Sequence, residues 1–219
     1  MVEPINLIVP YSYIAIEGNI GAGKTSLAKM IAKEKNAKLI LERFEDNSFL
    51  PKFYKEPDQY AFPLEMSFLA DRYHQLKENL TQVELFSSFI LSDYFIDKSL
   101  IFARKTLKDD EFALYSRLFG IITSSLPKPE LLVYLYLKPD HLKSNIVKRA
   151  REYEMDIELS YLENIQNSYF EHFKVLKSTR ILIIDTTYID FVHNDLDYKK
   201  ILSIVFQEYP IGITRISIP

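Results

Sequence analysis

Gly18-Asn19-Ile20-Gly21-Ala22-Gly23-Lys24-Thr25 is the stretch that decides the fold of this chain. It fits G-x-x-x-x-G-K-[ST] at every constrained position, a spacing that lets a loop wrap phosphates with backbone N–H groups. The lysine then reaches the outer phosphates, and the threonine hydroxyl meets Mg²⁺. Tyr13-Ile14-Ala15-Ile16 before it reads as a buried strand, and Leu27, Met30 and Ile31 after it have helical spacing. Strand, glycine loop and helix is the context the motif requires, because a helix N-terminus adds its own positive field. The expected triphosphate-binding set runs from Gly18 through Thr25 to Ser26.

Working outward, five short apolar runs stand out: Tyr13–Ile16, Leu39–Leu41, Phe89–Leu91, Leu131–Leu137 and Ile181–Ile184. Helical patterns lie between and after them, over 24–35, 60–82, 110–125, 140–149, 160–177 and 196–208. Strands that are apolar throughout and alternate with helices imply a parallel sheet covered on both faces. The expectation is one α/β domain over residues 1–219, with a five-stranded parallel sheet in a three-layer P-loop NTPase arrangement. Ligands of such a sheet sit beyond the C-terminal strand ends. The segments of interest are therefore the phosphate loop, Glu42-Arg43-Phe44-Glu45-Asp46, Ser92-Asp93-Tyr94, Lys138-Pro139-Asp140 and Asp185-Thr186-Thr187.

With 219 residues, 47% of them hydrophobic, the chain can bury one core and is short for two. It has no cysteine, which excludes disulfides and thiolate metal sites. The first ten residues lack a basic segment followed by an apolar one, and no run reaches the length of a membrane span. A soluble cytoplasmic protein is expected, with no membrane partner. A net charge of −3 also argues against a nucleic-acid partner, which selects basic surfaces. Four histidines show no ligand spacing, and among thirty Tyr and Phe most belong to the core while a few could stack on a flat ring.

Four constellations could carry chemistry. Asp93 ends a strand and is the natural second Mg²⁺ anchor opposite Thr25, since this hard cation needs only one or two protein oxygens. Its alternative role is to cap the following helix. Glu42 follows the second strand, where a carboxylate could orient an acceptor hydroxyl and take its proton; it could equally be a solvated loop acid. Glu65 and Arg72 are two helical turns apart, about 10 Å along the axis, on a face that also carries Leu64, Phe68 and Leu69. Polar groups there need partners, either each other through intervening residues or a flat polar ligand. Lys148, Arg149 and Arg151, followed by Glu152, Tyr153 and Glu154, form a charge run. Its position after the fourth strand suits a phosphate-binding lid over about residues 145–158, because the guanidinium fork is planar and always ionised.

With these residues in view, the chain resembles the deoxynucleoside kinases, P-loop enzymes that phosphorylate the 5′-hydroxyl of deoxynucleosides. The prefix Ile16-Glu17-Gly18-Asn19-Ile20 is similar to that family's loop, and the resemblance continues through Glu42, 53–62, Ile101-Phe102-Ala103 and 148–162. The resemblance implies ATP as donor with Mg²⁺, a deoxynucleoside acceptor in nucleotide salvage, and a homodimer. It gives Glu42 the role of general base, Tyr54 and Glu154 the 3′-hydroxyl, and Leu64 and Phe102 the flanks of the base. Arg72 becomes the base-contacting arginine, Arg149 and Arg151 the lid arginines beside Lys24 in catalysis, and Asp190-Phe191 the loop on the ATP adenine.

Three positions depart from the family pattern. Glu65 stands where the family has glutamine, and an ionised carboxylate only accepts hydrogen bonds, which favours bases with amine donors over thymine. With Arg72 free to donate to a ring nitrogen, a purine fits best, deoxyadenosine first, then deoxyguanosine or deoxycytidine. Ser92-Asp93-Tyr94 replaces Glu-Arg-Ser after the third strand, so Lys98, Arg43 or the lid must meet the charge that arginine normally meets. Asn145 replaces the first lid arginine. Two other readings stand beside this one: a nucleoside monophosphate kinase of the thymidylate type, and a P-loop regulator without small-molecule turnover. The first would want more arginines near an anionic acceptor; the second, if it bound GTP, would want Asn-Lys-x-Asp, which is absent.

Overall fold

The structure is a computed structural model that describes residues 9–43, 47–81, 87–151 and 154–218; Phe44, Glu45, Asp46, Glu152 and Tyr153, named above, lie outside these. The strands are β1 (Tyr13–Gly18), β2 (Lys38–Ile40), β3 (Ile90–Ser92), β4 (Leu131–Tyr136), β5 (Arg180–Asp185) and β6 (Gly212–Ser217). The helices are α1 (Lys24–Lys35), α2 (Leu50–Lys55), α3 (Pro57–Thr81), α4 (Lys98–Thr106), α5 (Asp109–Thr123), α6 (Pro139–Arg149), α7 (Leu159–Val175) and α8 (Asp195–Val205).

All six strands pair in parallel in the order β2-β3-β1-β4-β5-β6. Alternate residues of each inner strand feed opposite cores, as the two-residue period of a strand requires. Ile14, Ile16, Val133, Leu135, Leu182 and Ile184 join α1, α6 and α8 on one face. Ala15, Leu132, Tyr134, Ile181 and Ile183 join α4 and α7 on the other. The expected three layers are present, and a third cluster packs α3, α4 and α5 around Leu69, Ala103, Tyr115 and Phe119.

The sheet has six strands rather than the expected five. β6 alternates partly buried and exposed residues along Gly212–Ser217 because it is a sheet edge with one covered face, so it lacks the continuous apolar run that marks the inner strands. Two helices, α2 and α4, also exceed the expected set. The chain leaves β1 for β2 on one side and returns past β3 to β4 on the other. The crevice between β1 and β3 is thus the switch point where ligands of such sheets bind. Among the described residues no helix is long and apolar enough to cross a membrane.

Candidate active site

The β1–α1 loop is held open by its glycines. Gly21 has φ +83° and Gly23 φ +85°, a region costly for residues with a Cβ. A Cβ at Gly21 would lie 2.7 Å from the Leu142 carbonyl oxygen, and one at Gly23 2.8 Å from the Phe191 ring. Lys24 Nζ donates to the carbonyls of Gly18 and Asn19, both at 2.9 Å. The Asn19 side chain, almost fully buried, donates to Leu162 O at 2.7 Å, and Asn145 donates to Gly21 O at 2.9 Å. Gly18 and Asn19 thus form the underside of the loop. Ile20 to Ser26 line a cleft of about 1100 Å³ that also takes in every residue expected to bind the nucleoside.

Thr25 Oγ1 donates to Asp93 Oδ2 at 2.6 Å, so the two expected metal anchors meet at the cleft wall. The helix-cap alternative for Asp93 does not hold: α4 begins at Lys98 with Asp97 at its N-cap, and Asp93 Oδ1 instead accepts the Glu42 backbone N–H at 2.7 Å. One hydroxyl and one carboxylate are hard oxygen donors that fit Mg²⁺, which keeps most of its waters.

Glu42 is the electrostatic centre of the cleft. Its Oε1 accepts from Arg72 Nε at 2.9 Å and Nη2 at 2.7 Å, and its Oε2 from Lys98 Nζ at 2.6 Å. Burial alone would raise its pKa, but the charges and hydrogen bonds of Lys98 and Arg72 hold it well below the usual carboxylate range. The solvated-loop alternative is thereby excluded. Lys24 lies close by, and burial followed by the Lys98 charge lowers its ammonium to about 8.

Glu65 and Arg72 share the inward stripe of α3 with Ala61, Leu64, Leu69 and Leu76, but they do not bond each other. Arg72 turns to Glu42 and, through Nη1, to Ser99 Oγ at 2.7 Å, so hydrogen bonds to described residues take three of its five N–H groups. Glu65, 3% exposed, accepts from Thr106 Oγ1 at 2.8 Å. Burial raises its carboxyl to about 7, against the Thr106 hydrogen bond and the charges of Arg72 and Lys98. The carboxyl can therefore be neutral as well as ionised near neutrality, where the sequence reading took it as ionised. Leu64 and Phe102 line the same compartment, while Tyr54 stands half-exposed on α2 at its rim.

Across the cleft, α6 ends at Arg149 and Ala150 takes a left-handed conformation that turns the chain back. Arg149 Nη2 ion-pairs with Glu154 Oε2, and Arg151 Nη1 lies 3.5 Å from Glu154 Oε1. Lid arginines and the expected 3′-hydroxyl ligand therefore form one cluster. Lys143 fastens the segment by donating to the carbonyls of Met155 at 2.6 Å and Ile157 at 2.7 Å. Phe191 packs in the core against Gly23 while lining the cleft, and Asp190 accepts from the backbone of Val192 and His193 at 3.2 Å each.

Sequence reasoning did not find Thr106, Ser99, Lys143 or the role of Glu17. Glu17 is fully buried, accepts from Gly18 N at 2.9 Å and Phe95 N at 3.0 Å, and so ties the loop to the segment carrying Asp93 and Lys98. Its place directly before the glycine loop is the only local signal. Of the three replacements considered for the missing arginine, Lys98 faces Glu42, whereas Arg43 stands exposed at the cleft edge.

A deoxynucleoside kinase family profile matches residues 14–209. A deoxyguanosine kinase of Bacillus subtilis (strain 168) is 37% identical over 86% of this chain and 93% of its own length. A deoxyadenosine kinase of Dictyostelium discoideum is 30% identical over 90% of this chain and 79% of its own. The solved structure of a deoxyadenosine kinase from M. mycoides with bound dCTP superposes with a TM-score of 0.73 at 22% identity, covering 88% of this chain and 97% of that one.

Proposed function

The chain belongs to the deoxynucleoside kinase family and is an enzyme that phosphorylates deoxynucleosides, and from that premise we propose ATP-dependent, Mg²⁺-assisted transfer to the 5′-hydroxyl of a purine deoxyribonucleoside in nucleotide salvage. The observation that carries the reading is Glu42, an ionised carboxylate fixed by Arg72 and Lys98 between the phosphate loop and the compartment of Leu64 and Phe102. A neutral hydroxyl can donate its proton's hydrogen bond to that carboxylate, whereas the oxyanion of a monophosphate has no such proton to offer. The purine preference draws support from Glu65 and from relatives named for deoxyguanosine and deoxyadenosine.

In this mechanism the loop N–H groups and Lys24 hold the outer phosphates, the ammonium turning from the Gly18 and Asn19 carbonyls. Thr25 and Asp93 would hold Mg²⁺, which neutralises phosphate charge. Glu42 accepts the hydrogen bond of the 5′-hydroxyl and fixes the direction of attack. Its low basicity is tolerable because the transfer passes through a loose transition state in which the acceptor keeps its proton until late. Lys98, within reach of both Glu42 and the phosphate end, meets the developing charge in place of the absent arginine. Leu64 and Phe102 flank the base, Tyr54 and Glu154 take the 3′-hydroxyl, and Arg149 and Arg151 close over the triphosphate with the Asp190-Phe191 loop beside its base. A cytoplasmic homodimer completes the proposal; Leu114 and Ile121, exposed and seven residues apart on α5, offer an apolar face for pairing.

ADP release measured with each deoxynucleoside and each monophosphate tests the reading. Turnover is expected with deoxyadenosine and deoxyguanosine, slower with thymidine, and absent with monophosphates. Phosphorylation of a monophosphate in preference to every nucleoside overturns it.

A further inference from the structure

Glu65 is a buried carboxyl lining the same cleft as Leu64, Phe68 and Phe102, and its carboxyl has one protein hydrogen bond among the described residues. Thr106 Oγ1 donates to its Oε1, which keeps a second lone pair, and no other described residue hydrogen-bonds the carboxyl. The groups around it come from five elements. On its own helix, Arg72 is committed to Glu42 and Ser99, and Lys98 of α4 is ion-paired to Glu42. On α5, the Tyr115 hydroxyl donates to the Glu65 carbonyl at 3.4 Å, and burial raises that phenol far above neutrality. Tyr161 of α7 is likewise raised by burial, and Tyr54 of α2 lies at the rim. No cation among the described residues lies within ion-pair distance of Glu65.

We propose that Glu65 sets the balance between the two purines by its protonation state, accepting either purine as a neutral acid and guanine alone as a carboxylate. This deepens, and rests on, the reading of the cleft as a purine deoxynucleoside site. A neutral carboxyl has one acceptor and one donor, which match the N6 amine and N1 lone pair of adenine and equally the N1–H and O6 of guanine. An ionised carboxyl has two acceptors, which match the N1–H and N2–H₂ donors of guanine. The ionised form sets a lone pair against N1 of adenine in a buried site, whereas neither form sets like against like with guanine. With burial placing the carboxyl at about 7, both states are populated near neutrality. The glutamate then behaves as glutamine below that pH and as a guanine-reading acid above it.

The test is the ratio of kcat/KM for deoxyguanosine to that for deoxyadenosine, followed from about pH 6 to about pH 8 in the wild type and in Glu65→Gln. Neither purine titrates in this range, and ionisations shared by both reactions, such as that of Lys24, cancel in the ratio. In the wild type the ratio is expected to rise by about tenfold or more, centred near neutrality. In Glu65→Gln, a fixed donor–acceptor that serves either purine, it is expected to stay flat. A flat wild-type ratio, or an equal rise in both proteins, overturns the proposal. Turnover of neither purine at any pH overturns the kinase reading beneath it, a separate and recognisable failure.

Discussion

Replacing Lys98 with methionine keeps the length and apolar stem of the side chain and removes one charge. Lys98 Nζ lies 2.6 Å from Glu42 Oε2, with the two side chains 11% and 10% exposed. At an effective dielectric of about 20 the gross attraction is about 6 kcal/mol, of which breaking a buried pair typically loses about 3–5. Arg72 still holds the other oxygen, so the lower end applies to folding. For turnover, loss of one positioned charge is expected to lower kcat by about 10²–10³-fold.

The pH profile supplies the sharper signature. Against the effect of burial, the Lys98 charge is the largest influence holding Glu42 down, so its removal raises the carboxyl and moves the acid limb to higher pH. After burial, the same charge is the largest influence lowering Lys24, so its removal raises that ammonium above about 8 and moves the basic limb up as well. The measurement is kcat/KM for ATP at saturating deoxynucleoside from about pH 4 to about pH 10, with circular dichroism to follow folding. Lys98→Arg keeps the charge and should recover most of kcat. A Lys98→Met enzyme within about threefold of wild-type kcat, or a basic limb that stays in place, refutes both the clamp on Glu42 and the substitution of Lys98 for the family arginine.

Gly23→Ala forces a Cβ to 2.8 Å from the Phe191 ring at φ +85°, so KM for ATP should rise at least about tenfold while the apo fold persists by circular dichroism. Asp93→Asn should raise the Mg²⁺ concentration for half-maximal rate by about tenfold or more, read from a metal titration. Arg149→Ala should lower kcat by about 10²-fold and, through the freed Glu154, raise nucleoside KM only modestly; unchanged turnover removes Arg149 from the chemistry. Glu65 has a folded-state pKa raised by burial from 4.5 to about 7, so the stability tied to its neutral form is full below pH 4.5 and lost as pH rises through 7. Glu65→Gln should therefore gain on the order of 3 kcal/mol over wild type between acid and mildly alkaline pH, seen as a Tm difference that widens with pH.

How far the sequence could be read depends on the range of each constraint. The phosphate loop was legible because its requirements, positive φ at Gly21 and Gly23 and a helix starting at Lys24, are met within eight residues. The inner strands were legible because both faces are covered. β6 was not, because an edge strand with one covered face lacks the apolar run sought. α4 hides behind a mixed surface, Lys98, Arg104 and Lys105 beside Ile101 and Ala103, that only its packing against α3 and α7 resolves. The partners of Glu42 are 30 and 56 residues away, and nothing in its neighbourhood announces them. The raised carboxyl of Glu65 was not legible for a similar reason: burial, which raises it, is a property of the assembled cleft.

Two departures from the family pattern, read separately in the sequence, belong to one arrangement in the structure. With no arginine after β3, Glu42 is neutralised by Lys98 and by Arg72, which would otherwise be the nearest cation to the base compartment. That commitment leaves Glu65 without an ion pair, and burial then raises its carboxyl. Two glutamates in one cleft are pushed in opposite directions, Glu42 held ionised at the transfer centre and Glu65 able to be neutral at the base. The coupling has a sign that can be checked. Removing Lys98 takes a stabilising charge away from both carboxylates, so Glu65 should also become harder to ionise. The midpoint of purine selectivity should then shift to higher pH in Lys98→Met, although Lys98 does not bond Glu65. A midpoint that stays put separates the two sites and removes the link between the two departures.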